Sequence, residues 1–164
     1  MSVVRMELRL ISVGKVREKF YRQGVEEYIK RLRPYIKVTL LDGLDYRISP
    51  RAREAELAEA RRKEADKVLS IIKSSEVLIV LDQKGRSATS EELAVLLERC
   101  RQQGKTRLNL VIGGPTGVSA RLKDRADYLL SLSQLTFPHQ LAVLIAAEQL
   151  YRAFTILHFH PYHK

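Results

Sequence analysis

Apolar and polar positions alternate strictly at the start of residues 6–13 (MELRLISV). Met6, Leu8 and Leu10 fall on one side, Glu7 and Arg9 on the other, and Gly14 follows. A period of two predicts a strand. The period then changes. Across residues 17–33, Phe20, Val25, Tyr28, Ile29 and Leu32 recur at helical spacing, and Pro34 ends the predicted helix. Residues 38–41 read as a second strand. Ser49-Pro50 has the form of an N-cap followed by a first-turn proline, which predicts a long charged helix running to about residue 73. Residues 76–82 (EVLIVLD) are almost continuously apolar, the pattern of a strand buried on both faces of a parallel sheet. Thr89 and Glu92 form a capping box for a helix over 90–102, with Gly104 as its stop. Another buried strand is predicted at 108–112, a short helix near 119–126, a strand at 128–133 and a long helix at 139–157. Strands alternating with helices, without repeats or a low-complexity linker, predict a single α/β domain over 1–164 with a parallel sheet.

The last helix departs from the usual single stripe. Leu141, Val143, Leu144, Ile145, Leu150, Phe154 and Leu157 surround it on almost every side. Burial on both sides follows: the sheet covers one, and either further core or a second copy of the chain covers the other. A chain this small has little spare structure, which favours a homodimer.

Charge adds a partner. The chain carries a formal charge of +10, and residues 15–37 hold eight Lys/Arg against three acids. A clustered surplus on a small protein points to a polyanion, nucleic acid foremost, with Lys15, Arg17, Lys19 and Arg22 as candidate RNA contacts. Residues 51–67, with six basic and five acidic side chains, read instead as a self-paired solvated face. The lone Cys100 excludes an internal disulfide and reads as a small buried hydrophobe. The N-terminal stretch is interrupted by Arg5, Glu7 and Arg9, and the longest apolar run of the last helix is only residues 141–147. Neither suits a signal peptide or a bilayer span, so a soluble cytoplasmic protein is expected, with no membrane partner.

Three segments at predicted strand ends could carry chemistry: Asp82-Gln83-Lys84-Gly85, Gly113-Gly114-Pro115-Thr116-Gly117, and Leu135-Thr136-Phe137-Pro138-His139. Loops beyond the carboxyl ends of neighbouring parallel strands are where open α/β sheets bind ligands. The glycine loop is neither a Walker A loop nor a dinucleotide fingerprint, and a tight turn explains it as well as a ligand does. The terminal HFHPYHK holds three of the four histidines, His158, His160 and His163. A metal site is one reading, but no carboxylate lies nearby in sequence to orient the rings.

Taken together, Leu110-Val111-Ile112-Gly113-Gly114-Pro115-Thr116-Gly117, Leu132-Ser133-Gln134-Leu135-Thr136-Phe137-Pro138-His139, Glu148-Gln149-Leu150-Tyr151-Arg152-Ala153 and the terminal Tyr162-His163 closely resemble the RlmH family. These are SPOUT-class methyltransferases of 23S ribosomal RNA that act on N3 of a pseudouridine. LRLISVGK at 8–15 and Glu27-Tyr28 extend the likeness over nearly the whole chain from Met6. Residues 1–5 lie ahead of where the family usually begins, which points to Met6 as the start.

The resemblance implies a parallel-sheet SPOUT fold with helices on both faces, a C-terminal trefoil knot and a homodimer. It implies S-adenosylmethionine bound largely by backbone at Leu81, Gly113, Gly114, Leu132, Ser133, Gln134, Leu135, Thr136 and Phe137, with no metal. The substrate would be 23S rRNA within the ribosome. His163 would serve as general base for the N3 proton, since imidazole as a class is largely neutral at physiological pH. Tyr162 would contact the base, and Arg152 would bind phosphate or a developing oxyanion. The alternative for Arg152 is an i,i+4 pair with Glu148. His139 would cap the last helix or shape the cofactor loop. The competing function is a ribosome-binding factor on the same fold without chemistry.

Overall fold

Five parallel strands form one sheet in the order β2-β1-β4-β3-β5 in the computed structural model, which describes residues 5–164. The expectation about a leading segment at 1–5 falls almost wholly outside the described residues. The strands are β1 (Glu7–Ser12), β2 (Lys37–Leu41), β3 (Val77–Ser87), β4 (Arg107–Ile112) and β5 (Tyr128–Ser131). Between and after them run α1 (Lys19–Leu32), α2 (Glu54–Ser70), α3 (Ser90–Gln102), α4 (Ala120–Arg125) and α5 (His139–Leu157). Alternation along the strands sorts the helices onto two faces. Leu8, Leu10, Ile79, Leu108 and Leu110 pack with α1, α3 and α5. Ile11, Leu78, Val80 and Val111 pack with α2 and α4. Cys100 is buried among the first group, and burial pushes its thiol pKa up, as expected of a packing residue.

Strand β4 carries a buried polar side chain at the centre of the sheet. Asn109 is fully buried, and its Nδ2 donates to Glu76 Oε2 at 3.1 Å and to the Val77 carbonyl at 3.2 Å. Arg107 Nη1 completes the site at 3.0 Å from Glu76 Oε1, and its Nη2 reaches Glu7 Oε2 at 3.2 Å. A carboxylate buried with its donors is a group whose removal strands its partners. Glu76→Ala is therefore expected to destabilise the fold by about 3 kcal/mol, measured as a lowered urea midpoint with an unchanged slope.

Two boundaries differ most from the sequence expectation; α2 and β5 also end earlier, at Ser70 and Ser131. Helix α2 begins at Glu54, not after Ser49-Pro50. The Ser49 hydroxyl and carbonyl accept from Arg51 N at 3.1 Å and Ala52 N at 2.9 Å, so its acceptors close a separate turn. The helix entry is instead fastened by Glu56 Oε2, which accepts from Arg53 N at 2.7 Å. Strand β3 also runs on through Asp82, Gln83, Lys84 and Gly85, which the sequence suggested as a loop. It breaks register against β5 between Leu81 and Arg86. Gly85 permits this, because a Cβ there would lie 2.5 Å from the Leu130 carbonyl carbon.

Helix α5 matches its predicted span. Val143, Ala146, Ala147, Leu150, Ala153 and Phe154 are buried, whereas Leu141, Leu144, Ile145 and Leu157 remain half-buried. Among the described residues, no helix is long and apolar enough to cross a membrane.

Candidate active site

The carboxyl ends of β3, β4 and β5 surround a cleft of about 360 Å³. The glycine loop after β4 and the loop after β5 do not follow adjacent strands, as sequence suggested; β3 lies between them, and both loops flank its end. Leu81, Ile112, Leu132 and Phe137 supply apolar walls, and Gln83, Ser133 and Thr136 supply polar groups. Gln83 Nε2 donates to Thr136 Oγ1 at 2.6 Å, tying the β3 extension to the loop after β5. That loop turns on its own serines: Ser131 Oγ donates to the Ser133 carbonyl at 2.9 Å, and Ser133 Oγ accepts from Leu135 N at 3.0 Å. Eight of the nine residues expected to hold a cofactor line this cleft; Gln134 does not. Leu135 presents its side chain 70% exposed.

The cleft carries mixed charge, with Asp82, Lys84 and Lys123 all in its lining. Lys123 Nζ is held at 3.2 Å from Asp82 Oδ2, and Asp82 is mostly buried. An apolar floor with a few polar groups suits a small-molecule ligand. The cleft volume also falls within the range of small-molecule sites. His139 lies at the cleft's edge as the first residue of α5, with Nε2 3.2 Å from the Lys15 carbonyl oxygen. It thereby ties α5 to the turn after β1 and does not cap its own helix.

Arg152, Tyr162 and His163 come together elsewhere on the chain, outside the cleft lining. Their centre is Glu148, which sequence offered only as the helical partner of Arg152. Its Oε1 accepts from Arg152 Nε at 3.0 Å, Arg152 Nη2 at 2.7 Å and the Tyr162 hydroxyl at 3.0 Å. The guanidinium lies over the Tyr162 ring, 4.9 Å from its centroid, and Tyr151 meets that ring edge-on at 4.7 Å. Burial, then Tyr28 and Glu148, push the Tyr162 phenol well above the ordinary tyrosine range, so it stays a donor.

His163 bridges two groups. Its Nδ1 lies 3.2 Å from Arg152 Nη1 and its Nε2 lies 2.7 Å from Glu91 Oε1. A guanidinium can only donate, so Nδ1 accepts and the proton sits on Nε2, donated to Glu91. The Glu91 carboxyl is held below its usual range, chiefly by that hydrogen bond. Sequence gave no reason to single out Glu91 beyond its place in the first turn of α3.

A second cavity, of about 320 Å³, lies beside the cleft. It shares Leu81, Ser131 and Leu132 with the cleft, and its far rim includes Ser90 and Gln149. Ser90 Oγ donates to Gln149 Oε1 at 2.6 Å, and Gln149 Nε2 donates to Glu148 Oε2 at 2.8 Å. The other tail histidines point elsewhere. His158 Nδ1 lies 2.8 Å from the Phe154 carbonyl, and His160 Nδ1 lies 2.5 Å from the Tyr35 hydroxyl. Each of the three rings thus has separate protein partners.

Of the candidate RNA contacts, Lys15, Arg17 and Lys19 are exposed. Arg22 is committed: its Nη2 reaches Asp42 Oδ2 at 2.6 Å and its Nε the Val16 carbonyl at 3.0 Å, stapling α1 to the end of β2.

The model of the family described as "Predicted SPOUT methyltransferase" matches residues 6–163. A Syntrophomonas wolfei protein named ribosomal RNA large subunit methyltransferase H is 48% identical over 159 residues, covering 97% of this chain and 100% of its own. Proteins of the same name from Halothermothrix orenii and Clostridium botulinum are 40% and 43% identical over the same shares.

Proposed function

The chain belongs to the SPOUT methyltransferases, within the RlmH family, and we propose that it methylates N3 of a pseudouridine in 23S rRNA, using S-adenosylmethionine, on assembled ribosomes in the cytoplasm. The observation that carries this reading is the cleft at the ends of β3, β4 and β5, which gathers eight of the nine expected cofactor contacts.

When bound there, the cofactor supplies an electrophilic methyl group on a sulfonium. The chain's part is to position and to move one proton. Leu81, Leu132 and Phe137 give the ligand apolar walls, and Gly113 and Gly114 let the backbone approach. N3 of the substrate carries a proton between two ring carbonyls. His163 Nδ1 takes that proton once the substrate displaces Arg152 from it, forming an imidazolium that Glu91 stabilises through Nε2–H. The released Arg152 guanidinium then faces the charge spreading onto the ring oxygens. Tyr162, kept as a phenol, packs against the base. Because the tail lies outside the cleft lining of its own chain, the reading includes a homodimer. A second copy would cover the half-buried face of α5 and bring a tail to a cleft. The trefoil knot belongs to the same reading, as the 113–117 and 132–137 segments flank the end of β3. The whole chain would act as one domain, with Lys15, Arg17 and Lys19 gripping phosphates.

Two measurements test this. Gly113→Leu is expected to weaken S-adenosylmethionine binding about tenfold, because a Cβ at 113 would lie 2.5 Å from Val118 Cγ2 and 3.3 Å from the Gly117 carbonyl oxygen. Titration calorimetry checks it. Incubation with labelled cofactor should transfer methyl to assembled ribosomes faster than to isolated large subunits, and to naked RNA least. Binding to ribosomes without any transfer would instead support the non-catalytic factor.

A further inference from the structure

Where α5 ends, Phe159 adopts φ +55°, the only non-glycine in the left-handed region among the described residues. Its side chain is 95% exposed. The conformation closes the helix: Phe159 N donates to the Ile156 carbonyl at 3.2 Å and His160 N to the Thr155 carbonyl at 2.9 Å. Glycine or asparagine usually fills this place, since a Cβ is crowded there. Phenylalanine is thus unfavourable twice, through its backbone and through its apolar surface in water. The residues on either side are pinned. His158 and His160 both pack on the Tyr35 ring, at centroid distances of 4.7 and 5.6 Å, and both are hydrogen bonded within the fold. The Phe159 ring therefore stands outward on a fixed base.

We propose that Phe159 is a stacking platform for an unpaired base of the substrate rRNA, close to the methylated nucleotide. This rests on the rRNA methyltransferase reading. The ring's chain neighbours His158, His160 and Pro161 are exposed and largely polar, unlike the apolar patch that the core of a protein interface requires. A nucleobase needs only one π-face, and its phosphates suit a chain of charge +10. Tyr162 follows Phe159 by three positions, a span of at most about 11 Å of extended chain. The stacked base is therefore a near neighbour of the reacting one.

Glycine at this position separates contact from structure. Phe159→Gly relieves the backbone crowding, so its Tm should equal or exceed that of the unsubstituted protein. Its dissociation constant for ribosomes, read by cosedimentation, should rise roughly tenfold, and the KM for ribosomes with it. S-adenosylmethionine affinity and the dimer dissociation constant should stay unchanged, and Phe159→Trp should restore ribosome binding. Unchanged ribosome affinity in Phe159→Gly overturns the proposal. So does a weakened dimer, which would place the ring between copies of the chain. Because ribosome binding is measured without turnover, a failure of the methyl-transfer reading shows separately, as an unsubstituted protein that binds ribosomes and transfers no methyl.

Discussion

Removing Tyr162, His163 and Lys164 is expected to lower methyl transfer to ribosomes by about 10²–10⁴-fold, the range of a positioned general base, with cofactor affinity within about twofold of the full chain's. The separation follows from the geometry. The tail lies outside the lining of the cleft that would hold the cofactor, so its loss leaves those walls intact. His163→Ala should reproduce most of the effect. Its Nδ1 is the basic atom of the tail network, held 3.2 Å from Arg152, while Nε2–H is fixed by Glu91. Single-turnover kinetics at saturating cofactor, beside calorimetric binding, measure both quantities. A truncated enzyme that methylates at the normal rate would remove the tail from the mechanism.

Glu148→Ala is expected to cut turnover about 10–100-fold, less than loss of the base itself because His163 remains. Glu148 touches no reacting atom; it positions Arg152 and Tyr162, taking three of their four donated bonds on one oxygen. Its loss also strands charge-assisted donors, costing roughly 1.5–3 kcal/mol of stability. A simple structural role would produce that stability loss alone. The distinguishing readout is the Tyr162 phenol. Burial raises its pKa first, and hydrogen bonding to Tyr28 and to the Glu148 carboxylate adds to the rise. Phenolate beside a carboxylate is disfavoured, so deleting the carboxylate should bring the ionisation down toward the ordinary tyrosine range. Absorbance at 295 nm, with Tyr162→Phe subtracted, follows it. An unmoved tyrosine titration with normal turnover would remove Glu148 from the site.

What could be read from the chain depended on whether a residue acts locally. The period-two pattern of β1, the capping box of α3 and the span of α5 are local, and the structure reproduces them. Ser49 misled because a serine before proline offers the same acceptors to a turn as to a helix, and only Arg53 and Glu56 decide where α2 begins. Asn109 and Glu76 are 33 residues apart in sequence and become partners only when β3 and β4 pair. The cleft residues were named through family likeness, since two glycines and a serine-rich loop carry no ligand signature by themselves. Glu91 was invisible for the same reason as Asn109: its partner His163 lies 72 residues away. Phe159 looked like one aromatic in a histidine-rich tail until its backbone conformation set it apart.

Transfer of a methyl group to N3 of one pseudouridine is the activity to test. The direct measurement is to treat ribosomes lacking the modification with the protein and labelled S-adenosylmethionine, digest the large-subunit RNA to nucleosides and identify the labelled product by mass spectrometry. The expected product is a single labelled nucleoside, N3-methylpseudouridine, strongly reduced when the His163→Ala protein replaces the unsubstituted one. Label on any other nucleoside, or ribosomes that bind the protein and acquire none, would contradict it.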